Sequence, residues 1–124
     1  MLKTECFIKY NEKEIEKLFV AGYLIKAEIK NNLFFISLAS VKGKENGKPV
    51  YEYTNNIAIT DTKKIDYIKK LKRGTQLFCE INITSKESNG KVYKNNYLFN
   101  FDVGKEGKGE PIFSESVEIS EEEI

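Results

Sequence analysis

Lysines and aromatic residues interleave in two segments of this 124-residue chain. The first segment contains Lys42, Lys44, Lys48, Tyr51 and Tyr53, and the second contains Lys86, Lys91, Tyr93, Lys94 and Tyr97. Ammonium groups neutralise phosphates, and aromatic rings stack on bases, with each stacked base contributing about 1–3 kcal/mol. These residue types therefore favour noncovalent binding of a polyanion with planar groups, such as a nucleic-acid single strand.

The residues that enzymes commonly use are absent or isolated. The chain has no histidine, which removes the commonest general base. Asp61 and Asp66 lie where a helix is predicted to begin, and no glycine-rich phosphate loop or nucleophile motif occurs. Cys6 and Cys79 form no CxxC pair and are expected to be reduced and structural. We therefore expect a protein that is not an enzyme and needs no cofactor or metal.

The near-neutral charge of the chain hides a basic body and an acidic end. Residues 1–103 contain 18 Lys and Arg against 12 Asp and Glu, a net charge of +6. Residues 104–124 contain 2 Lys against 7 Glu, a net charge of −5. This division predicts a body that attracts polyanions and a tail that attracts basic partners.

Membrane and export signals are not found in the sequence. No segment approaches the about 20 consecutive apolar residues that a membrane-spanning helix needs. Lys3, Glu5 and Lys9 lie where a signal peptide would have an apolar run. We expect a soluble, cytoplasmic protein with no membrane partner.

Runs of β-branched and aromatic residues predict five strands. These runs cover residues 18–29, 33–41, 50–60, 75–84 and 97–103. Residues 4–10 could add an edge strand, with the charged residues 11–17 as a connection. Asn89 and Gly90 are a strong signal for a hairpin turn.

A helical pattern interrupts the strands at residues 61–74. Its apolar residues recur at helical spacing, at Ile65, Ile68 and Leu71. Asp61 or Thr62 can cap the first turn, and Gly74 suits the position after the last turn. The pattern predicts one helix between the third and fourth strands.

The order of these elements predicts an all-β fold with one helix, a five-stranded antiparallel OB barrel. We assign residues 1–103 to the barrel domain, with residues 1–17 as an N-terminal extension that could supply an extra strand. Residues 104–124 are predicted to be a flexible acidic tail, because residues 104–111 are rich in glycine and charge.

Strand alternation predicts that Phe35 points outward, because Phe34, Ile36 and Leu38 occupy the core-facing positions. The outward position makes Phe35 the strongest single candidate for base stacking.

The same rule turns Tyr51 and Tyr53 toward the core, since they share parity with Ile57 and Ile59. They would contact bases only if the hairpin extends beyond the barrel or a bulge lies near residues 54–56.

Four stretches, in this order, resemble the bacterial and phage single-stranded DNA-binding proteins, an OB-fold family. The stretches are FVAGYL at 19–24, ISLAS at 36–40, IDYIKKLKRGTQLFCEINITSK at 65–86 and YKNNYLFNFDVG at 93–104. The resemblance implies a protein of a bacterial cell, a phage or a mobile element. It would coat and protect single-stranded DNA without sequence specificity during replication, recombination or repair, and would assemble as a dimer or tetramer.

The sequence closes on Glu121, Glu122, Glu123 and Ile124. The resemblance implies that this acidic tip docks on replication and recombination proteins, with the isoleucine in an apolar cavity. A merely solubilising terminus is the alternative.

Two other functions fit the same residues. An OB-fold adaptor that binds proteins and not nucleic acid is favoured by the absence of tryptophan and by the small residues at Ala58 and Thr60. An RNA-binding OB module stays open, because stacking and phosphate contacts do not distinguish the two sugars.

Overall fold

The computed structural model describes residues 3–10 and 13–113. Six strands and one helix occur in this part of the chain. They are β1 (Lys3–Tyr10), β2 (Lys13–Lys30), β3 (Leu33–Glu45), β4 (Lys48–Ile59), α1 (Thr62–Lys69), β5 (Gln76–Ser88) and β6 (Lys91–Val103). Among the described residues, no helix has the length and apolarity of a membrane span.

Five of the strands close a barrel. Their order is β2-β3-β4-β6-β5, and β5 pairs back with β2. The predicted all-β barrel of five strands is therefore confirmed. Aliphatic side chains fill its interior, and those with no exposed surface include Leu24, Leu38, Ile57, Leu77 and Ile81. Burying each such side chain contributes about 1.5–3 kcal/mol.

The prediction of purely antiparallel pairing is wrong, because β4 and β6 run parallel where Ile57 meets Asn96 and Ala58 meets Tyr97. The cause is the position of α1 in the chain order. The helix joins the end of β4 to the start of β5, so β5 runs opposite to β4. The β5–β6 hairpin then reverses the chain, and β6 runs in the direction of β4.

Strand β2 begins at Lys13, five residues before the predicted start at residue 18. Its first half pairs with β1 on one side and β5 on the other. Lys17 is accommodated on the outer face although its side chain is nearly buried. Its ammonium lies 2.8 Å from Glu80 Oε2 and 4.0 Å from the ring centre of Phe99. These contacts offset the loss of water around the charge.

Gly22 is required where β2 passes close to β3. Ser40 Oγ donates a 2.7 Å hydrogen bond to the Ala21 carbonyl there. A Cβ at Gly22 would lie 2.8 Å from that Oγ and 3.0 Å from the Ala39 carbonyl oxygen. The missing side chain thus allows the two strands to approach closely.

Three hairpins extend from one end of the barrel. Since β4 and β6 run parallel where they pair, their starting residues, Lys48 and Lys91, lie at the same end. The β1–β2 hairpin lies there too, because β2 runs antiparallel to β3 and β5. Asn46 and Asn89 have positive φ in the β3–β4 and β5–β6 turns, as two-residue turns of this kind require. Helix α1 lies at the opposite end, which we call the helix end.

Helix α1 begins after Asp61, whose carboxylate accepts hydrogen bonds from the backbone N–H groups of Lys63 at 2.8 Å and Lys64 at 3.2 Å. The Lys64 bond is the largest of the contacts that hold the pKa of Asp61 below its usual value. The helix ends at Lys69, earlier than the apolar spacing indicated, and Gly74 takes a φ of +90° in the following turn.

Residues 104–113, which the sequence assigned to a flexible tail, lie against the helix end. Arg73 donates a backbone hydrogen bond of 2.8 Å to Glu110, and Ile112 donates one of 2.7 Å to Leu71. The Ile112 side chain is buried in the same core cluster as the barrel interior. The packed body therefore extends to Phe113. The predicted partner-binding residues, 121–124, lie outside the described residues.

Candidate nucleic-acid interface

A bulge in β4 places Tyr51 and Tyr53 on the outside of the protein. Where β3 advances by two residues, the paired residue of β4 moves by three, from Ile57 to Thr54. Asn56 takes a φ of +57° within this irregularity. The parity of β4 changes there, so both tyrosines are exposed. The sequence predicted that the two tyrosines would be exposed if a bulge lay near residues 54–56, and the bulge lies there.

Phe35 lies on the outer face of β3 and is half-buried. The Lys30 ammonium lies 5.1 Å from its ring centre and donates a 2.9 Å hydrogen bond to Asn56 Oδ1. The Lys30 ammonium also forms an ion pair with Glu28, 3.3 Å from its Oε1. Desolvation raises the pKa of Glu28, but the neighbouring ammonium groups outweigh it and leave that pKa below its usual value. Phe35 is thus partly exposed, with Lys30 over its ring, while the charge of that lysine is largely neutralised by Glu28.

Tyr97 lies beside the same part of the sheet as Phe35. Ala58 of β4 pairs with Phe35 on one side and with Tyr97 on the other. The backbones of Phe35 and Tyr97 are therefore two strand spacings apart, about 9–10 Å. Ala58 lies between them and is itself nearly buried.

Phe99 is an exposed aromatic residue that the sequence analysis did not select. It faces outward because β6 has an extra residue opposite the step from Glu80 to Ile81. Tyr97, Phe99 and Phe101 share strand parity, but the bulge sends Phe101 toward the core cluster. Alternation alone could not have separated Phe99 from Phe101.

The predicted hairpin lysines are exposed. Lys42, Lys44 and Lys48 belong to the β3–β4 hairpin, and Lys86 and Lys91 belong to the β5–β6 hairpin with the exposed Tyr93. Within the described part of the chain, none of these five lysines forms an ion pair, whereas Lys94 pairs with Glu16 at 3.4 Å. The five ammonium groups are therefore available for phosphates.

The structure thus brings the predicted lysines and Tyr51, Tyr53 and Tyr93 toward one end of the barrel. Phe35 lies near the other end, two residues after the start of β3. The two lysine-bearing hairpins extend from the same end, which we call the hairpin end. Phe35 and Tyr97 lie on the wall of the barrel, where β4 joins the strands of both hairpins. A single strand following this surface would meet cations and rings in alternation.

A separate groove of about 300 Å³ lies on the outer face of β2, β5 and β6. Phe19 and Phe78 line it together with the carboxylates of Glu80 and Asp102. No lysine or arginine is among its described lining residues. Because Glu80 is already paired with Lys17, the character of the groove is mainly apolar, which suits a protein partner better than a phosphate.

The two cysteines lie in different surroundings. Cys79 is buried in the barrel, and burial raises its pKa to about 12. Cys6 is half-buried on β1. Among the described residues, no cluster of three or more His, Cys, Asp or Glu side chains could hold a metal ion.

No protein-family model matches the sequence, and no curated protein matches it either. Solved structures of a yeast protein do resemble it, two crystal forms of the mitochondrial single-stranded DNA-binding protein Rim1 of S. cerevisiae. Form 1 gives a TM-score of 0.60 at 15% identity, covering 76% of this chain and 98% of the Rim1 chain. Form 2 gives 0.56 at 14% identity, covering 74% and 97%. The two proteins therefore share a fold.

Proposed function

We propose that this protein binds single-stranded DNA without sequence specificity and coats it. The observation that carries the proposal is the surface of an OB-like barrel that combines exposed hairpin lysines, which form no ion pair among the described residues, with exposed aromatic residues. The shared fold with Rim1, a protein named for binding single-stranded DNA, supports it. The narrower resemblance to bacterial and phage members stays a prediction.

The proposed binding mechanism combines phosphate neutralisation with stacking. The lysines of both hairpins neutralise phosphates, while rings such as Tyr53 and Tyr97 stack on bases. Every base has a π face, so stacking favours no particular sequence. A duplex hides these faces, and the protein therefore shifts the equilibrium of DNA hairpins toward the open strand by mass action.

We also propose the biological setting on the basis of the sequence resemblance. The protein would act in the cytoplasm of a bacterial cell, encoded by the cell, a phage or a mobile element, and would work as a dimer or tetramer without enzymatic activity. The acidic tip, residues 121–124, would recruit proteins of replication, recombination or repair.

The experiment is a titration with fluorescent dT oligomers of several lengths, a matched duplex and rU oligomers, at low and moderate salt. We expect tight, salt-sensitive binding to dT and much weaker binding to the duplex. A variant lacking residues 120–124 should bind dT at least as tightly. Absence of binding at low salt by both proteins would contradict the proposal, and preference for rU would assign the site to RNA.

A protein adaptor is the second candidate, and the groove at Phe19 and Phe78 favours it. The groove pairs apolar rings with the carboxylate of Asp102, while Glu80 is already paired with Lys17. This combination suits a mainly apolar peptide. Tyrosine fluorescence distinguishes the candidates. An adaptor should show no quenching when oligo-dT is added, since no base would approach Tyr51, Tyr53 or Tyr93.

A further inference from the structure

An apolar crevice of about 360 Å³ opens at the helix end of the barrel. Its lining includes Ile29, Leu33, Phe34, Ile59, Ile65 and Lys69. Ile29 is 52% exposed and Leu33 is 45% exposed, so two large aliphatic side chains at its border face water. Exposing them is unfavourable unless another apolar group covers them.

The chain itself leads to this crevice. Residues 104–113 are held along the helix end, and the Phe113 ring packs edge-on against Phe34 with 5.8 Å between ring centres. The Lys69 ammonium lies 4.8 Å from the ring centre of Phe113 and 5.9 Å from that of Phe34. Since Phe34 and Lys69 line the crevice, the residues after Phe113 start at its margin.

The sequence of residues 114–119 suits an apolar crevice beside basic residues. Val117 and Ile119 are its two large aliphatic residues, among serines and glutamates. In an extended chain they share a face with Phe113. They follow it by about 13 and 20 Å, at roughly 3.3 Å per residue, so both can reach a crevice that begins at Phe113.

Charge favours the same contact. Residues 61–73 carry six basic and two acidic side chains, a net charge of +4. Residues 114–124 carry five glutamates and no basic residue, a net charge of −5. Attraction between the two segments increases the time that the tail spends beside the crevice.

We propose that residues 114–119 of this chain dock in the crevice at the helix end. Val117 and Ile119 cover Ile29 and Leu33, and the glutamates of the segment lie beside the lysines of α1. The dock holds the acidic tip at the helix end, away from the hairpin end. The tip is then presented to other proteins without covering the hairpin lysines. The inference does not depend on nucleic-acid binding, because it rests on the contacts of Phe113 and the lining of the crevice and not on the hairpin lysines.

A tryptophan in the tail can report this contact, because the chain has none of its own. We would make Ile119→Trp in the full-length protein and measure its emission maximum and its quenching by acrylamide. The docked tail predicts emission shifted to the blue and quenching several-fold weaker than for the free peptide SESVEW. Leu33→Asp in the same background should return both values to those of the peptide.

Matched variants make the result specific. Ile29→Asp is a second crevice variant that should act like Leu33→Asp, so misfolding of either one leaves the test intact. Val92→Asp, at an exposed aliphatic residue of the β5–β6 hairpin, should leave the tryptophan protected. Far-UV circular dichroism checks that each variant is folded.

Three results would overturn the proposal. The first is a tryptophan as accessible as in the free peptide. The second is protection that survives both crevice variants in folded protein. The third is protection that rises with protein concentration, which would assign the crevice to the tail of a second copy.

Discussion

Tyr53 and Tyr67 are equally exposed, at 55% and 54%, but lie on different parts of the molecule. Tyr53 is on β4 among the proposed stacking residues, and Tyr67 is on α1 at the helix end. Tyr53→Ala should weaken dT binding by about 1–3 kcal/mol, the contribution of one stacked base. That is a loss of about 5- to 150-fold in affinity.

Tyr67→Ala is the matched control for this change and should bind dT as the unaltered protein does. Both variants are compared by fluorescence titration at one salt concentration. Equal losses in the two would show that the outer face of β4 has no special role in stacking.

The two cysteines should differ in reactivity. Cys79 is buried and its pKa is raised to about 12, so it stays a thiol near pH 8 and is shielded from reagents. Cys6 is only half-buried. A thiol assay at pH 8 should detect one reactive group in the native protein and two after denaturation. In Cys6→Ser the native protein should show none, and fast reaction of a thiol in that variant would contradict the burial of Cys79.

Burial of Cys79 also predicts a dependence of stability on pH. Its folded pKa is raised from the ordinary value of 9.0 to about 12. Its contribution to the free energy of unfolding is therefore complete below pH 9 and is lost as the pH rises toward 12. Cys79→Val should remove this part of the decline, as measured by urea unfolding at several pH values. If the free energy of unfolding fell equally between pH 9 and 12 in both proteins, Cys79 would not be the cause of the decline.

At the level of single residues, the sequence predicted some side-chain directions and missed others. The outward direction of Phe35 followed from simple alternation. Tyr51 and Tyr53 could be placed only conditionally, because the bulge depends on Asn56 adopting positive φ, a conformation that alternation does not encode. Phe99 faces outward for the same kind of reason, a bulge at Glu80 and Ile81.

Among the elements, the contact between β2 and β3 depends on Gly22. Gly22→Ala should destabilise the protein by about 1–3 kcal/mol, because its Cβ would displace Ser40 or the β3 backbone. Gly43→Ala is a matched control within β3, where an added Cβ meets no atom within 4 Å. Urea unfolding should show a clear loss for the first variant and little change for the second. A tolerated Gly22→Ala would mean that the strands can separate there.

The contact between residues 104–113 and the turn after α1 depends on Thr75. Its buried hydroxyl donates to the Lys72 carbonyl at 2.7 Å and accepts from the Gly107 N–H at 3.0 Å. Thr75→Val should cost about 1–3 kcal/mol and accelerate hydrogen exchange at Gly107. Thr84→Val, at an exposed position of β5, should do neither. Unchanged exchange at Gly107 in Thr75→Val would show that the segment is held by other contacts.

Element types were easier to predict than their partners. Runs of β-branched residues and a capped helical pattern identify strands and a helix locally. The start of β2 was missed because Lys17 and Glu16 look like loop residues until a cross-strand partner such as Glu80 neutralises the lysine. The parallel β4–β6 contact arises from chain direction and not from any local pattern.

Across the whole molecule, charge should control the binding of single strands. Replacing Lys42, Lys44 and Lys48 with glutamine removes three exposed charges from the hairpin end. The slope of log affinity against log salt should become shallower by about 2, at roughly 0.7 per phosphate contact on a single strand. The matched variant replaces Lys63, Lys70 and Lys72 at the helix end with glutamine. Its slope of log affinity against log salt should equal that of the unaltered protein. Equal changes would indicate attraction by net charge alone.

The overall architecture could be predicted only in outline. The order of strands and helix was enough for an OB-like barrel. The packing of residues 104–113 could not be predicted, because a glycine-rich segment suggests a flexible chain. Here Gly107 instead allows the backbone to approach the turn after α1 closely. A Cβ at Gly107 would overlap the Arg73 carbonyl oxygen, so the segment can pack there only with glycine at this position.

The most direct test of the central claim is a map of amide chemical shifts in ¹⁵N-labelled protein as a dT oligomer is added. The account predicts changes along the β3–β4 and β5–β6 hairpins and around Phe35, Ala58 and Tyr97. Amides of α1 and of residues 104–113 should stay in place. Changes confined to α1 and residues 104–113 or to the groove at Phe19 and Phe78, or no change at all, would contradict the assignment of this surface to single-stranded DNA.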